Sequence, residues 1–237
     1  MKKAVIVAAG LSSRLYPLTE KLPKGLLPVG EQSILSRSIA ILKANGITDI
    51  AVVVGFRHQQ IRDALGDTVQ YILNPFYQHC NNMGSLWFAR DFVGDQPFVY
   101  LHGDLVFAPE ILASSQEGFA SRNNDIELVT EFKDNDEEAM KVRVDPDNYL
   151  LESNKEIPLS QAQGEWIGMA WIRKTAVLFS RIEEILTKEG LNYYDTHAFT
   201  ALARAGARVY CSPTTEPWVE VDFQQDYQLA QELFTRI

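Results

Sequence analysis

Cysteine is scarce in this 237-residue chain, which contains only Cys80 and Cys211 and no C-x-x-C pair. Two cysteines cannot build a disulfide scaffold, and the missing C-x-x-C pair argues against a zinc site of that kind. A chain with so few cysteines is typical of a reducing compartment, so we expect a cytoplasmic setting.

Long apolar runs are also missing. No stretch approaches the roughly 18–20 apolar residues that a membrane-spanning helix requires, so we expect no membrane insertion. The apolar run that follows Lys2 and Lys3 is short, and Arg14 soon interrupts it. The run therefore predicts a buried first strand rather than a signal peptide.

Positive charge is in deficit, with 22 Lys and Arg against 31 Asp and Glu, which gives a formal net charge of −9. Such an acidic chain is a poor candidate for binding nucleic acid or anionic membranes. If the protein binds a phosphate ligand, a few local cations must do so against the overall field.

The regular pattern in the first half is an alternation of short apolar strands and amphipathic helices. We predict strands over Ala4–Ala8, Ile50–Val54, Val69–Leu73, Phe98–Leu101 and Ile126–Phe132, and helices over Ser33–Asn45, His58–Leu65, Gly84–Phe92 and Pro109–Ala120. In the second half, Met140–Val144 and Tyr149–Glu152 flank a turn and predict a hairpin. The fold class is therefore α/β, with a mostly parallel central sheet, helices on both faces and a small antiparallel insertion.

A loop rich in small residues follows the first predicted strand. Gly10, Ser12 and Ser13 allow backbone N–H groups to approach phosphate oxygens, and Arg14 and Lys24 supply cations. The loop has neither the G-K-[ST] ending of a Walker A motif nor the G-x-G-x-x-G of a dinucleotide fold. The sequence favours a phosphate site here, with an ordinary loop carrying two surface cations as the alternative.

Two carboxylates end separate predicted strands. Asp104 follows His102 and Gly103, and Asp222 ends the segment that begins at Trp218. Hard carboxylate oxygens at such positions suit Mg²⁺. Taken singly, Asp104 also fits a turn, and Asp222 also fits a helix cap with Gln225 as its partner.

Together these residues carry a family resemblance. The pattern from Gly10 to Thr19 with Pro23-Lys24, then Gly103-Asp104 and Glu220 to Tyr227, resembles the nucleotidyltransferase superfamily that activates sugar phosphates and phospho-alcohols. Ser12 departs from the glycine usual there. The segment Asn81–Leu86 resembles the base-facing segment of cytidylyltransferases that use phosphocholine, 2-aminoethylphosphonate or inositol phosphate.

The resemblance implies CTP as the nucleotide, Mg²⁺ held by Asp104 and Asp222, and Arg14 and Lys24 as catalytic cations. It implies one domain over residues 1–237, with a nucleotide-binding core at 1–132, acceptor-binding and sheet-completing elements at 133–222, and a closing helix at 223–237. The nucleotide-binding residues it implies are Ala8, Ala9, Gly10, Leu11, Ser12, Ser13, Asn82, Ser85 and Gly103.

The acceptor is expected to meet the insertion. Aromatic faces and carboxylates there suit a cationic amine, as in choline recognition, although the aromatics could equally pack the core. The candidates are Lys141 for the acceptor phosphate, and Glu165, Trp166, Tyr194, Asp195, Trp218 and Glu220. No histidine is assigned a catalytic role, and His58, His79, His102 and His197 are expected to be loop or surface residues.

Two alternatives remain open at this point. One is a sugar-1-phosphate nucleotidyltransferase that uses UTP or dTTP, and the other is an inactive homologue that binds nucleotide for regulation. The sequence leaves homo-oligomer formation open as well.

Overall fold

The computed structural model describes residues 1–133 and 136–235. Within these ranges it contains eight α-helices and thirteen β-strands. The helices are α1 (Ile34–Ala44), α2 (His58–Leu65), α3 (Asn82–Trp87), α4 (Arg90–Val93), α5 (Pro109–Ser121), α6 (Thr175–Lys188), α7 (Asp195–Arg204) and α8 (Gln224–Phe234). The strands are β1 (Lys3–Ala8), β2 (Pro28–Val29), β3 (Gln32–Ser33), β4 (Asp49–Val54), β5 (Gln70–Leu73), β6 (Phe98–His102), β7 (Leu105–Phe107), β8 (Ile126–Glu131), β9 (Lys141–Val144), β10 (Leu150–Asn154), β11 (Gly164–Ile172), β12 (Val209–Pro213) and β13 (Trp218–Glu220).

The centre of the main sheet is parallel. β1 pairs in parallel with β4 and β6, so that Val5 lies opposite Ala51 and Tyr100. The strand order is β10-β9-β11-β6-β1-β4-β5, and β8 and β12 extend the sheet from β11. β9, β10 and β11 form the antiparallel part, including the predicted hairpin. The predicted fold class is confirmed.

Alternate residues of β1 face two separate cores. Val5 and Val7 pack against α3, α6 and α7, whereas Ala4 and Ile6 pack against α1, α2 and α5. A strand covered on both faces must be apolar throughout, which explains its continuous apolar run. Helices therefore cover both faces of the sheet, as predicted.

Local signals fix the ends of α1. The Ser33 hydroxyl accepts a hydrogen bond from the Ser36 amide at 3.2 Å and thereby satisfies one of the free N–H groups of the first turn. Gly46 follows the helix with φ of 77°, a left-handed conformation that glycine adopts without steric cost.

The helix predicted over Gly84–Phe92 is wrong in extent. The structure has the two short helices α3 and α4 there, separated by Phe88 and Ala89. The first begins two residues earlier than predicted because the Asn81 side chain accepts a hydrogen bond from the Asn82 amide at 2.8 Å and caps it.

The start of α8 decides between the two interpretations of Asp222. The capping carboxylate belongs to Asp226, which accepts hydrogen bonds from the Asp222 and Phe223 amides at 3.0 and 2.7 Å. The Asp222 carboxylate is not the cap and is directed to other partners.

Gly103 brings the candidate loops together at the carboxyl edge of the sheet. Its amide donates to the Val7 carbonyl at 2.8 Å. A Cβ added to Gly103 would lie 2.6 Å from the Ala8 Cβ, so only glycine allows this approach. The loop after β1 and the Gly103–Asp104 turn therefore lie side by side, at the edge where doubly wound sheets bind ligands.

A search of residues 1–133 and 136–235 for membrane-spanning helices finds none that is both long and apolar enough.

Candidate functional site

One cavity of about 310 Å³ opens at this edge of the sheet. Its wall combines the loop after β1, the segment around Lys24, the start of α3, the turn after β6, and residues of β11 and β13. Among the predicted nucleotide-binding residues, those that line it are Ala8, Ala9, Gly10, Ser12, Ser13, Asn82 and Gly103. Leu11 and Ser85 are not among its lining residues.

The loop after β1 is held in a compact shape. Ser12 has φ of 54° and ψ of 40°, and its carbonyl accepts a hydrogen bond from the Thr19 hydroxyl at 2.7 Å. This left-handed conformation favours glycine, which is the residue usual at this position in the family that the sequence resembles. Ser12, where the family usually has glycine, therefore has a strained backbone conformation.

Lys24 is enclosed between the two carboxylates predicted to bind metal. Its Nζ lies 2.6 Å from Asp104 Oδ2 and 2.8 Å from Asp222 Oδ1, and its side chain is 13% exposed. Burial alone would lower the pKa of Lys24, but the two carboxylates outweigh it and raise the pKa above its ordinary value. Lys24 is therefore a partnered cation inside the cavity rather than a surface lysine.

Arg14 adds a second cation to the same carboxylate. Its Nη2 donates to Asp222 Oδ2 at 2.7 Å, and the guanidinium is half exposed. Burial would raise the pKa of Asp222, yet Lys24 and Arg14 lower it below its ordinary value. Asp104 and Asp222 thus meet around the shared Lys24 ammonium, although 118 positions separate them in the sequence.

The carboxylates fit a hard divalent cation. Asp104 Oδ1 is buried without a hydrogen-bond partner, which is costly unless another group binds it. Ligand atoms of His102, Asp104 and Glu220 lie within 4.8 Å of one another, whereas Asp222, the other predicted metal ligand, is not part of this group and contacts Lys24 instead. Carboxylate oxygens are the donors that Mg²⁺ prefers.

His102 is the main residue that sequence reasoning missed. It ends β6 in the cavity wall and is 6% exposed, whereas the sequence predicted a loop or surface histidine. Nδ1 lies 3.1 Å from Glu220 Oε1, and Nε2 lies 2.9 Å from Asp195 Oδ2. Burial would lower the pKa of His102, but the two carboxylates raise it well above its ordinary value. Its position beside Gly103 and Asp104 was the available signal.

Three of the seven acceptor candidates line the cavity. Trp166 and Glu220 form its inner wall, and Tyr194 lies at a more exposed position. Burial, together with the nearby Asp104 and Asp222, raises the pKa of Glu220 despite its contact with His102. These three side chains place two aromatic rings and a carboxylate in the cavity wall.

The structure does not bring Lys141 into the cavity. Its side chain is fully buried, and Nζ donates to the backbone carbonyls of Glu137 and Lys155 at 2.8 and 2.7 Å. Lys155 lines the cavity instead, with Nζ 5.8 Å from the centre of the Tyr194 ring. Lys141 thus binds the backbone of Lys155, the lysine that lines the cavity.

Asp195, Glu165 and Trp218 also lie behind or beside the cavity wall. Asp195 is fully buried, and its Oδ2 accepts from the Tyr100 hydroxyl at 2.6 Å. The Trp218 indole donates to Glu131 Oε2 at 2.8 Å. Burial raises the pKa of Glu165 to about 7, with Glu220 adding to the shift and Lys133 opposing it. None of these three is among the cavity-lining residues of the described chain.

Comparisons with known proteins agree with the geometry. The sequence profile described as Nucleotidyl transferase matches residues 3–227. Over 115 residues, the chain is 36% identical to a CMP-5'-(3-aminopropyl)phosphonate synthase from Streptomyces rubellomurinus, covering 46% of this chain and 18% of that protein. Over 92 residues, it is 37% identical to a choline-phosphate cytidylyltransferase from Streptococcus pneumoniae, covering 38% of this chain and 39% of that protein. The match thus spans less than half of either relative.

A solved structure of low sequence identity shares the fold. A solved structure from Bacillus anthracis, described as a glucose-1-phosphate thymidylyltransferase, superposes with a TM-score of 0.87 and 23% identity, over 100% of this chain and 96% of that chain. The superposition shows the common fold alone. Because the family profile spans almost the whole sequence, the resemblance predicted from Gly10 to Tyr227 is confirmed, and the chain belongs to the nucleotidyl transferase family.

Proposed function

We propose that this protein is a Mg²⁺-dependent cytidylyltransferase that couples CTP to a small phosphorylated or phosphonylated amino alcohol and releases pyrophosphate. The observation that carries the proposal is the convergence of Arg14, Lys24, Asp104 and Asp222 in a cavity whose other end offers an aromatic face and a carboxylate. Phosphoryl transfer needs the cations and carboxylates, and a cationic substrate suits the aromatic face and the carboxylate at the other end.

The loop after β1 would bind the triphosphate. Gly10, Ser12 and Ser13 present small side chains to the cavity, which lets their backbone N–H groups approach phosphate oxygens. Arg14 and Lys24 would neutralise phosphate charge and must exchange their contacts with Asp222 and Asp104 for contacts with the nucleotide. Bound Mg²⁺, held by Asp104 and Asp222, would supply further charge neutralisation.

The reaction needs little proton transfer. An anionic phosphate or phosphonate oxygen of the acceptor attacks the α-phosphorus and forms a P–O bond, while the bond from that phosphorus to the bridging oxygen breaks and pyrophosphate leaves with the electron pair. The residues therefore contribute by holding both reactants in line and by balancing charge. Neither role requires a histidine to act as a base.

Lys155 replaces Lys141 as our candidate for the acceptor phosphate. It lines the cavity, and it is close enough to Asp222 to lower the pKa of that carboxyl. The amine end would lie toward Trp166 and Glu220, because the Lys155 ammonium already lies 5.8 Å from the centre of the Tyr194 ring. A cation over an aromatic face contributes roughly 0.5–2 kcal/mol, so the pocket should favour an amine over a neutral sugar.

The choice of CTP rests on the segment that begins α3. Asn82 lines the cavity on the nucleotide side, and two relatives are named for CMP or cytidylyl transfer. Hydrogen-bond acceptors in this segment would pair with the amino group of cytosine. In UTP they would face the carbonyl oxygen that uracil carries at the same position. Such a mismatch commonly costs about 1–3 kcal/mol, or roughly ten- to hundredfold in specificity. A cytoplasmic setting belongs to the proposal, because Cys80 and Cys211 are both free thiols.

The test is a pyrophosphate-release assay that pairs CTP, UTP, dTTP and ATP with phosphocholine, 2-aminoethylphosphonate, inositol phosphate and glucose-1-phosphate. We expect CTP with an amine acceptor to give the highest kcat/KM, and Lys155→Met to raise the KM for that acceptor. Lys188→Met, which changes an exposed helical lysine, is the control. Highest turnover with UTP or dTTP and the sugar phosphate would support the sugar alternative, and release with no pair would support the regulatory one.

A further inference from the structure

His102 lies between Glu220, in the cavity wall, and the buried carboxylate of Asp195. Its Nδ1 faces Glu220, which lines the acceptor end, and its Nε2 faces Asp195, which has no exposed surface. The Asn82 side-chain amide lies 3.2 Å from the same Nε2 and closes that side of the ring. Both ring nitrogens are therefore committed to partners on other elements of the fold.

The ring is fixed by packing as well as by hydrogen bonds. Trp166 meets it edge to face at 4.9 Å between ring centres, and the Trp166 indole is itself anchored to the Met169 carbonyl at 2.7 Å. Gly168 lies against the other side, where an added Cβ would come within 3.0 Å of the imidazole Cγ and Nδ1. A histidine confined in this way presents Nδ1 in one direction.

Glu220 needs such a partner. One of its carboxylate oxygens lies within 4.8 Å of an Asp104 oxygen, so the orientation of the Glu220 carboxylate decides whether it faces Asp104 or the acceptor. His102 sets this orientation through the contact between Nδ1 and one carboxylate oxygen at 3.1 Å. Asp195, in contrast, is held by Tyr100 and by the Thr196 amide, so it is a rigid support for the other ring nitrogen.

We propose that His102 is a positioning residue that holds the Glu220 carboxylate toward the acceptor, and that Asp195 influences acceptor binding through His102 rather than by touching the acceptor. The inference deepens the proposed function and rests on it. It assigns the preference for an amine acceptor to a chain of contacts running from Asp195 through His102 to Glu220.

Replacing His102 by asparagine or by glutamine tests its contacts with Glu220 and Asp195 separately. The amide nitrogen of asparagine can replace Nδ1, so His102→Asn keeps a donor for Glu220 and loses the Asp195 contact. The amide nitrogen of glutamine replaces Nε2, so His102→Gln keeps the Asp195 contact and leaves Glu220 without its donor. With 2-aminoethylphosphonate as the acceptor, we expect His102→Gln to raise the acceptor KM roughly ten- to hundredfold, as for loss of a hydrogen bond to a charged group, and His102→Asn to raise it much less.

Four further variants complete the experiment. Glu220→Gln should raise the same acceptor KM as much as His102→Gln does, and the double variant should be no worse than either alone, because they remove one interaction. Asp195→Asn, which preserves size, should raise it to a smaller extent. His197→Asn does not reach as far as Nε2, so it loses an exposed contact between Nε2 and Glu189 at 3.0 Å and serves as the control.

Ethylphosphonate, which lacks the amine, provides the decisive comparison. Wild type should prefer 2-aminoethylphosphonate over it, and His102→Gln and Glu220→Gln should lose that preference while the Kd for CTP stays within about threefold, below the effect of one lost hydrogen bond. Equal KM values for the Asn and Gln variants of His102, or additive effects of His102→Gln and Glu220→Gln, would overturn the proposal. If wild type transfers no nucleotide to any amine, the proposed function fails instead, and the same variants are compared on the acceptor that it does use.

Discussion

Replacing Lys24 by methionine should weaken the protein in the absence of metal and make it more responsive to divalent cations. The methionine keeps most of the aliphatic side chain but removes the ammonium that contacts Asp104 and Asp222 at 2.6 and 2.8 Å. The two carboxylates, each with a side chain 19% exposed, would then lie close together with fewer positive partners.

The magnitude follows from this burial. Breaking a fully buried ion pair costs about 3–5 kcal/mol, whereas an exposed pair contributes about 0–1 kcal/mol. The partly exposed Lys24 pairs lie between these limits, so we expect a loss of about 2 kcal/mol in the free energy of unfolding. For a chain of this size, that loss lowers Tm by roughly 4–8 °C. Because Lys24 lowers the pKa of Asp222, the difference from wild type should shrink when the pH falls below about 4 and the carboxyl is protonated.

The assay is thermal unfolding of wild type and Lys24→Met in NaCl and in MgCl₂ at equal ionic strength. Mg²⁺ should raise the Tm of the variant more than that of wild type, since the ammonium no longer competes for the carboxylates. Lys188→Met, in an exposed helical pair with Glu184, should unfold like wild type in both salts. An unchanged Tm for Lys24→Met, or an equal response of both proteins to Mg²⁺, would refute this reasoning.

Three other perturbations have defined outcomes. Ser12→Gly should stabilise the fold by about 0.5–1 kcal/mol in chemical denaturation, because the Ser12 backbone has a left-handed conformation. Ser13→Gly, in the adjacent turn, is the control and should not stabilise it. Equal effects of the two substitutions would contradict the strain argument. Glu165→Gln should match wild type at about pH 4 and exceed its stability by about 1–3 kcal/mol at pH 8, because burial raises the pKa of the folded-state carboxyl from 4.5 to about 7 and wild type loses stability as the pH rises between these two values. A pH-independent difference would count against burial as the cause. Asp104→Asn and Asp222→Asn should each lose most of the pyrophosphate-release activity and recover only part of it in excess Mg²⁺. Full recovery would show that the negative charge of these carboxylates is not required.

The sequence was sufficient to predict which loops meet at the carboxyl edge of the sheet. Parallel strands end at the same edge, so Arg14 and Asp104 had to lie at that edge once their strands were recognised, and both line the cavity there. Asp222 joins them from β13, which pairs with β7 directly after the Asp104 turn. These placements depend on strand direction alone, which apolar runs and turn residues reveal.

The acceptor end was predicted less well because it depends on the direction of individual side chains. Glu165 and Trp166 are neighbours on β11, so they point to opposite faces, and only Trp166 reaches the cavity. β11 also has an irregular register between Trp166 and Ala170, which no periodicity predicts. Lys141 carries a charge typical of a surface or a site, yet two backbone carbonyls bind it in the interior.

His102 and Asp195 illustrate a second kind of limit. Their contact joins positions 93 residues apart, and each residue taken alone has common structural uses. The sequence offered Asp195 as an acceptor candidate but could not show that the His102 imidazole lies between it and the cavity.

The most direct test of cytidylyl transfer to an amine is a single competition reaction. The protein is mixed with Mg²⁺, equal concentrations of CTP, UTP and dTTP, and equal concentrations of phosphocholine, 2-aminoethylphosphonate and glucose-1-phosphate, and the nucleotide-linked products are identified by mass spectrometry. The convergence of cations and carboxylates beside an aromatic, acidic pocket predicts a CDP- or CMP-linked amine as the main product, formed together with pyrophosphate. A UDP- or dTDP-linked sugar as the main product would contradict the proposed function.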